Sequence, residues 1–341
     1  MITTFNAKTA DDLWRQLTSS FSNATSPTRQ PSRAGGTLES LHVAISVEDP
    51  IQRWIALRNP PINLAFALAE TVWILSGRND AAFLNYFNSK LPEYAGKCDA
   101  YHGAYGHRLR RHFGLDQIER AFEVLSRRPH SRQVVLQIWD VNKDIPERNG
   151  DERSADIPCN VISLLKLRDG KLEWTQIMRS NDLFRGLPYN IVQFTTLQEV
   201  LAGWLQVGVG SYNHFSDSLH VYDQDLENIK DLGPLDIVEQ NCDRLISSKA
   251  DCERHFAALA TQVEHIIDAR YVVSELARSA FENHLPAAFK NILLILTAEG
   301  ARRRKSPHVT RELVSACSNP LFCHMYNRWL LRVGSGQQHS T

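Results

Sequence analysis

The chain has 341 residues, 43% of them apolar, enough to bury a large core without disulfide or metal staples. Its 38 Lys and Arg balance 38 Asp and Glu, so the formal net charge is zero. That excludes a general nucleic-acid or membrane-surface binder, which carries a basic excess, and makes any anion site a local one.

The N-terminus, MITTFNAKTADDLW, has no basic segment followed by an apolar run, so no signal peptide is expected. Residues 1–32 read as an N-terminal helix and loop, and 22–37 (SNATSPTRQPSRAGGT) carry the Ser, Pro and Gly of a loop. Pro60-Pro61 is expected to open a helix over about 61–76, since proline is tolerated in a first turn. That helix is apolar nearly all round and should be central. Its apolar stretch, Ile62–Leu75, is too short to span a bilayer. Further helices are expected over 80–88 and 115–128, and a strand over Arg132–Trp139. Residues 143–156 are a polar loop. Val161–Leu167 and Leu172–Met178 flank an Asp169-Gly170 hairpin signal. Ile191–Leu205 has helical apolar spacing. From about 225 the pattern is helical over 251–284, 286–299 and 308–332, and the tail 333–341 reads as disordered. Arg302-Arg-Arg-Lys305 reads as a solvated helix end rather than an anion site. The order of elements predicts an α+β fold, a mixed β-sheet flanked by helices. The six cysteines show no CxxC pair and no zinc spacing, so no metal is expected and a reducing cytoplasm is.

The residues with chemical potential cluster in the middle third. Cys159, in Ile157-Pro-Cys-Asn160, stands at a strand entrance after a polar loop. A lone cysteine is ordinarily a small buried hydrophobe. Near Arg179, however, its thiolate is favoured, and a thiolate adds well to electron-poor double bonds. Arg179 and Ser180 offer a guanidinium fork and a hydroxyl to a phosphate, or else a surface salt bridge. Asn190 follows the Gly186-Leu-Pro188 turn. It is either a helix cap or an amide whose donor and acceptor match a uracil edge. Glu70 lies inside the apolar helix, where a carboxylate needs an ion pair or a raised pKa that suits acid–base work. His220 and Tyr222 alternate with Leu219 and Val221 and can share one face of a strand.

As an ordered set these segments resemble the thymidylate synthase family over roughly residues 33–225. Arg33-Ala-Gly-Gly is similar to the family's N-terminal phosphate loop. Ala69-Glu-Thr-Val-Trp-Ile-Leu-Ser-Gly77 is similar to its catalytic-Glu helix, and Gly103-Ala-Tyr-Gly106 to its Tyr-Gly turn. Ser131-Arg132 resembles the loop that reaches a partner subunit. Pro158-Cys159 resembles the nucleophile motif, and 179–190 the longest family signature. The resemblance implies a homodimer through the sheet and one-carbon transfer from methylenetetrahydrofolate to C5 of a uracil nucleotide. Cys159 adds to C6 of the ring, while Glu70 and Tyr105 manage protons. Arg33, Arg179, Ser180 and a partner's Arg132 hold the phosphate. Asn190 reads the base, His220 and Tyr222 contact the sugar, and Asp182 contacts the pterin. It further implies a catalytic core over 33–225 with a mostly helical part, 226–332, packed on it.

The chain departs from the family pattern at Gln133, where a second arginine is usual, and at Asn160, where histidine is usual. Arg185 replaces an apolar residue that faces the folate, and Asp217-Ser218 replaces a Gly-Asp. No tryptophan occurs over 78–102, and an apolar closing tail is missing. A wetter, more open site lets water capture the one-carbon unit, giving hydroxymethyl in place of methyl. The alternatives are a nucleotide-binding protein of the same fold that has lost turnover, and an unrelated α+β protein with chance matches.

Overall fold

The computed structural model describes residues 1–23, 27–32, 35–230, 232–233 and 240–336. Strand β1 (Thr3–Ala7) leads into α1 (Ala10–Asn23), then β2 (Thr28–Ser32) and the long β3 (Gly35–Val47). Five helices follow: α2 (Leu64–Leu75), α3 (Ala81–Asn85), α4 (Leu91–Ala95), the short α5 (Tyr105–His107), which continues into a π-helical turn over Arg108–His112, and α6 (Gln117–Arg127). Next come β4 (Val135–Gln137), α7 (Val141–Asp144), β5 (Asn160–Arg168), β6 (Lys171–Met178) and β7 (Asn181–Asp182). Helix α8 (Leu187–Leu205) and strand β8 (Gly208–Tyr222) complete the central part. The last third is helical: α9 (Lys249–Ile267), α10 (Val273–Glu282), α11 (Ala287–Arg303), α12 (Pro307–Ala316) and α13 (Pro320–Gly336).

The expected mixed sheet is present, in the order β1-β3-β8-β6-β5-β4, with β2 added to β3 and β7 to β8. Its β1–β3 and β6–β8 pairs are parallel and the β3–β8, β5–β6 and β4–β5 pairs antiparallel. Asp169 and Gly170, both at positive φ, form the β5–β6 turn that the Asp-Gly signal predicts. Alternation on β6 buries Leu172, Trp174, Gln176 and Met178 on one face. On β8 the buried parity slips at Asp217, opposite His42 at φ 58. Tyr212 and His214 are buried before the slip, Leu219 and Val221 after it, which leaves His220 and Tyr222 half-buried on the other face.

Helix α2 is the central pillar. Every residue from Leu64 to Leu75 except Glu70 is buried, and the helix touches α8, α9, α11 and α13. Each fully buried Leu, Ile, Val or Phe contributes roughly 1.5–3 kcal/mol, so this helix is fixed by packing rather than propensity. The C-terminal helices thus close over the helix that carries Glu70.

The differences from the expected elements have local causes. Residues 28–32 and 35–37 form strands rather than loop; β2 is exposed throughout and held by pairing with β3. Helix α2 starts at Leu64, because Asn63, not the prolines, caps it: Asn63 Oδ1 accepts the Phe66 N–H at 3.0 Å. The expected 251–284 helix is broken at 268–272, and 308–332 is broken at 317–319, where Asn319 Oδ1 accepts the Leu321 and Phe322 N–H groups. Helix α13 runs through Gly336, into the segment expected to be disordered; 337–341 lie outside the described residues. The basic run at 302–305 is not a solvated end: Arg302 and Arg303 both pair with the buried Glu299 at 2.7 and 2.8 Å. No helix among the described residues is long and apolar enough to cross a membrane.

Candidate active site

Cys159 is half-buried at the entrance of β5. The loop leading to it is anchored on both sides. Asp156 accepts the Gly103 N–H at 2.7 Å. Arg179, just past the end of β6, donates from Nε to the Pro158 carbonyl at 3.0 Å and from Nη2 to that of Ile157 at 3.3 Å. Its backbone N–H also bonds the Cys159 carbonyl at 2.9 Å. Arg179 therefore sits beside the nucleophile candidate and remains exposed, with half-buried Ser180 next to it. Its guanidinium lies 5.4 Å from the Trp139 ring centroid.

Tyr105, on α5, is close enough to feel the charges of Cys159 and Arg179. The Tyr-Gly turn is pressed against α2, since a Cβ at position 106 would collide with the Ile74 backbone. The π-helical turn that follows is locked by Arg108. This fully buried side chain holds Asp144 through two bonds of 2.5 and 2.9 Å and caps the His102 and Ile138 carbonyls. π-Helical turns are frequent at functional sites. Burial pushes the Tyr105 hydroxyl well above its ordinary range; the charges of Cys159, Asp156 and Glu70 add to that and Arg179 opposes it. These groups therefore form one electrostatic cluster.

Glu70 projects from α2 into this cluster. Its Oε2 is shut off from solvent with no hydrogen-bond partner among the described residues. Burial pushes the carboxyl up to about 7, against a lowering hydrogen bond from Gln193. Among the described residues no cation pairs with it, so there the ion-pair reading of Glu70 falls and the raised carboxyl remains.

Asn190 does not cap α8. Gly186 occupies the cap position, Pro188 fills the first turn, and Asn190 lies within the helix at 6% exposure. Its Nδ2 donates to Gln193 Oε1 at 3.1 Å. The amide is therefore available inside the site rather than used on the helix end. Tyr189 packs edge-on against Phe66 of α2, and its hydroxyl accepts the Asn63 N–H at 3.0 Å.

His220 and Tyr222 do share a face, their rings 5.5 Å apart. β7 pairs Asp182 directly with His220. Asp182 Oδ1 accepts the Phe184 and Arg185 N–H groups, both at 2.8 Å, and burial holds its carboxyl above the usual range. Burial lowers His220, with Asp182 and Glu39 opposing. Burial likewise raises Tyr222, which also feels Asp182 and Cys159. Arg185 closes this side. It pairs with Asp225 at 2.7 Å and lies 5.6 and 5.1 Å from the ring centroids of Tyr94 and Tyr222.

Thus Cys159, Tyr105, Glu70, Arg179, Ser180, Asn190, Asp182, His220 and Tyr222 all come from the segments that line or abut one cluster. Arg132 does not join it: it is exposed, ahead of β4. Arg33 lies outside the described residues. Three neighbours escaped the sequence reading. Gln193 had a signal, a polar residue inside an apolar helix three positions past Asn190. Asp156 was hidden in the polar loop before Cys159, and Tyr94 in α4 gave no signal.

The family model for thymidylate synthase matches residues 40–244. The chain is 38% identical over 191 residues to a deoxyuridylate hydroxymethyltransferase of Bacillus phage SP01, covering 53% of this chain and 49% of that protein. It is 30% identical over 207 residues to a deoxyuridylate hydroxymethyltransferase of Delftia phage PhiW-14, covering 59% and 57%. It is 27% identical over 179 residues to a thymidylate synthase of Francisella philomiragia, covering 50% and 65%. The chain thus spans about half the length of the phage relatives it matches. With the family match extending over more than half of the residues and the fold holding its motifs around one cluster, the chain belongs to the thymidylate synthase family.

Proposed function

We propose that this chain is a folate-dependent transferase that places a one-carbon unit on C5 of dUMP or a close analogue. The observation that carries this reading is the convergence of Cys159, Tyr105, Glu70 and Asn190, a nucleophile, two proton-handling groups and a base-reading amide. The names of the similar phage and bacterial proteins support it.

Arg179 and Ser180 hold the phosphate, helped by Arg33 and by Arg132 of a second copy across the sheet in a homodimer. His220 and Tyr222 take the sugar. The Asn190 amide binds the uracil edge at N3–H and O4. Cys159 Sγ then adds to C6, and the C5–C6 π electrons move toward O4, which makes C5 nucleophilic. Once C5 carries the new carbon, its remaining hydrogen leaves as a proton through water held by Glu70 and Tyr105. Methylenetetrahydrofolate, when bound, supplies the one-carbon unit at the formaldehyde level. Asp182, with Oδ1 engaged by two backbone N–H groups, and the rings of Tyr94 and Tyr222 fit a flat hydrogen-bonding heterocycle of this kind. The six cysteines, none in a disulfide, suit a reducing cytoplasm.

Loss of the C5 proton would expel tetrahydrofolate and leave an exocyclic methylene on the base, from which two outcomes follow. In a dry site, hydride from that tetrahydrofolate would reduce it to methyl, leaving dihydrofolate, and the Cys159–C6 bond would then break. A wet site lets water add to the methylene, after which the Cys159–C6 bond breaks and the C5–C6 double bond re-forms. Arg185, charged and paired with Asp225 beside Tyr222, keeps that side polar and favours the hydroxymethyl product. The test is mass spectrometry of products from dUMP and methylenetetrahydrofolate, with Cys159→Ala as control. A gain of one formaldehyde unit supports the hydroxymethyl reading, and a gain of one methylene replaces it with a synthase. No product from dUMP, UMP, dCMP or CMP overturns the enzyme reading in favour of a nucleotide-binding protein.

A further inference from the structure

Gln193 is 5% exposed on α8, three residues past Asn190 and therefore on the same helix face. It stands between two groups of the site. Its Oε1 accepts from Asn190 Nδ2 at 3.1 Å, and Gln193 also acts on the Glu70 carboxyl, favouring its ionised form against the effect of burial. The direction of this chain follows from donor chemistry. The Gln193 carbonyl is taken by Asn190, which leaves the Gln193 NH2 for Glu70, whose ionised form can only accept. Asn190 answers the Gln193 carbonyl with an N–H. What Asn190 has left is its own carbonyl oxygen, without a hydrogen bond among the described residues, and one further N–H. That pair complements uracil, whose ring N–H donates and whose O4 accepts. Cytosine presents the reverse, a ring acceptor beside an amino donor, and needs the Asn190 amide turned over. The turn would set Asn190 oxygen against Gln193 oxygen.

We propose that Gln193 is the positioning residue for base selection: it locks the Asn190 amide in the uracil-reading orientation and links that amide to Glu70. The inference rests on the functional reading above and adds a residue, and a cause, to its substrate preference. It also separates two roles within one side chain. The carbonyl sets base preference, and the NH2 favours the ionised form of Glu70. The titratable groups facing Glu70 are the hydroxyls of Tyr105 and Tyr189, both far from ionising near neutral pH because burial raises them. Among the described residues Gln193 is thus the polar group through which the Glu70 carboxyl can be tuned.

The test compares full-length wild type, Gln193→Met and Gln193→Glu by dUMP and dCMP binding calorimetry and by the pH profile of turnover. Gln193→Met removes both contacts and is expected to lower the dUMP-over-dCMP binding ratio by about tenfold or more. Gln193→Glu keeps an acceptor for Asn190 but sets a second carboxyl against Glu70. It should retain the binding preference while the rising limb of the turnover profile moves to higher pH. A merely structural role would lower the melting temperature and weaken both nucleotides equally, leaving the ratio and the profile unmoved, and that pattern overturns the proposal. Where Gln193→Met does not fold, Gln193→Asn, one methylene too short to bridge both partners, is read in its place with the same expected loss of preference. If wild type binds dUMP preferentially and the variants keep its ratio, only this inference fails. If wild type binds neither nucleotide, the functional reading fails with it.

Discussion

Glu70→Gln tests the electrostatics of the site through stability, independently of any substrate. Burial raises the Glu70 carboxyl from 4.5 to about 7, so the folded protein holds that proton more tightly than the unfolded chain. The stabilisation is fully present below about pH 4.5 and is lost as pH rises through about 7. A rise of this size corresponds to about 3 kcal/mol at 1.36 kcal/mol for each tenfold change in proton affinity. Glutamine is close in shape and cannot ionise, so the variant escapes the loss. Relative to wild type it should gain about 3 kcal/mol between pH 4.5 and about 8.5. Asp11, pushed up to about 6 by burial, titrates in the same window, but both proteins carry it and its contribution cancels in the difference. The assay is urea unfolding of both proteins across that range at fixed ionic strength. A difference that stays flat with pH would refute the claim that Glu70 is buried without a compensating cation. On the proposed function the same carboxyl should give wild-type turnover a limb that rises through about pH 7, and Glu70→Gln should lack it.

Other substitutions probe the frame around the site. Gly106→Ala forces a methyl into the Ile74 backbone and should cost about 1–3 kcal/mol in thermal unfolding, with turnover falling further as Tyr105 is displaced. Glu199→Gln leaves Arg53, 2% exposed and bonded to Thr196 at 2.6 Å, without its buried counter-charge. A loss of about 3–5 kcal/mol is expected by denaturant titration, and Arg53→Met in the same chain should recover part of it. Asn190→Asp is expected to weaken dUMP binding at least about tenfold and to improve cytosine nucleotides, read by calorimetry. Unchanged preference would remove Asn190 as the base reader.

The sequence made some features legible because they are local. The Asp169-Gly170 turn, the apolar α2 and the periodic α8 need only neighbouring residues to be recognised. The strand β2 could not be read that way. Thr28-Arg-Gln-Pro-Ser32 is wholly exposed and carries turn residues, and only hydrogen bonds to β3, up to eleven positions away, make it a strand. The site shows the same division. Cys159, Arg179 and Glu70 are conspicuous as residue types in improbable settings. Gln193 was passed over because its meaning depends on α8 facing α2, a fact of packing. Asp156 looked like one more charge in a polar loop until its bond to Gly103 brought it under Tyr105. The basic run at 302–305 was misread for the converse reason, since its counter-charge, Glu299, is hidden on the same helix.

The departures from the family pattern bear on whether the site is kept in working order. A buried polar group left without a partner costs about 1–3 kcal/mol, so a site in decay should collect such groups where its residues have changed. Here the changed residues are mostly answered. Arg185 pairs with Asp225 and packs on two aromatic rings. Asp217 meets His42 at 2.9 Å, at the point where the β8 parity slips, and Ser218 donates to Glu39 at 2.5 Å. Asn160 accepts from Gln176, which also accepts from Ser163 at 2.7 Å and Trp174 at 3.1 Å. The Asn160 Nδ2 is the exception, buried beside Cys159 with no partner among the described residues. Gln133 is exposed and makes no demand. Changes that arrive with partners describe a site rebuilt for a more polar interior. In the proposed function, that is the condition under which water, rather than hydride, would complete the chemistry on C5.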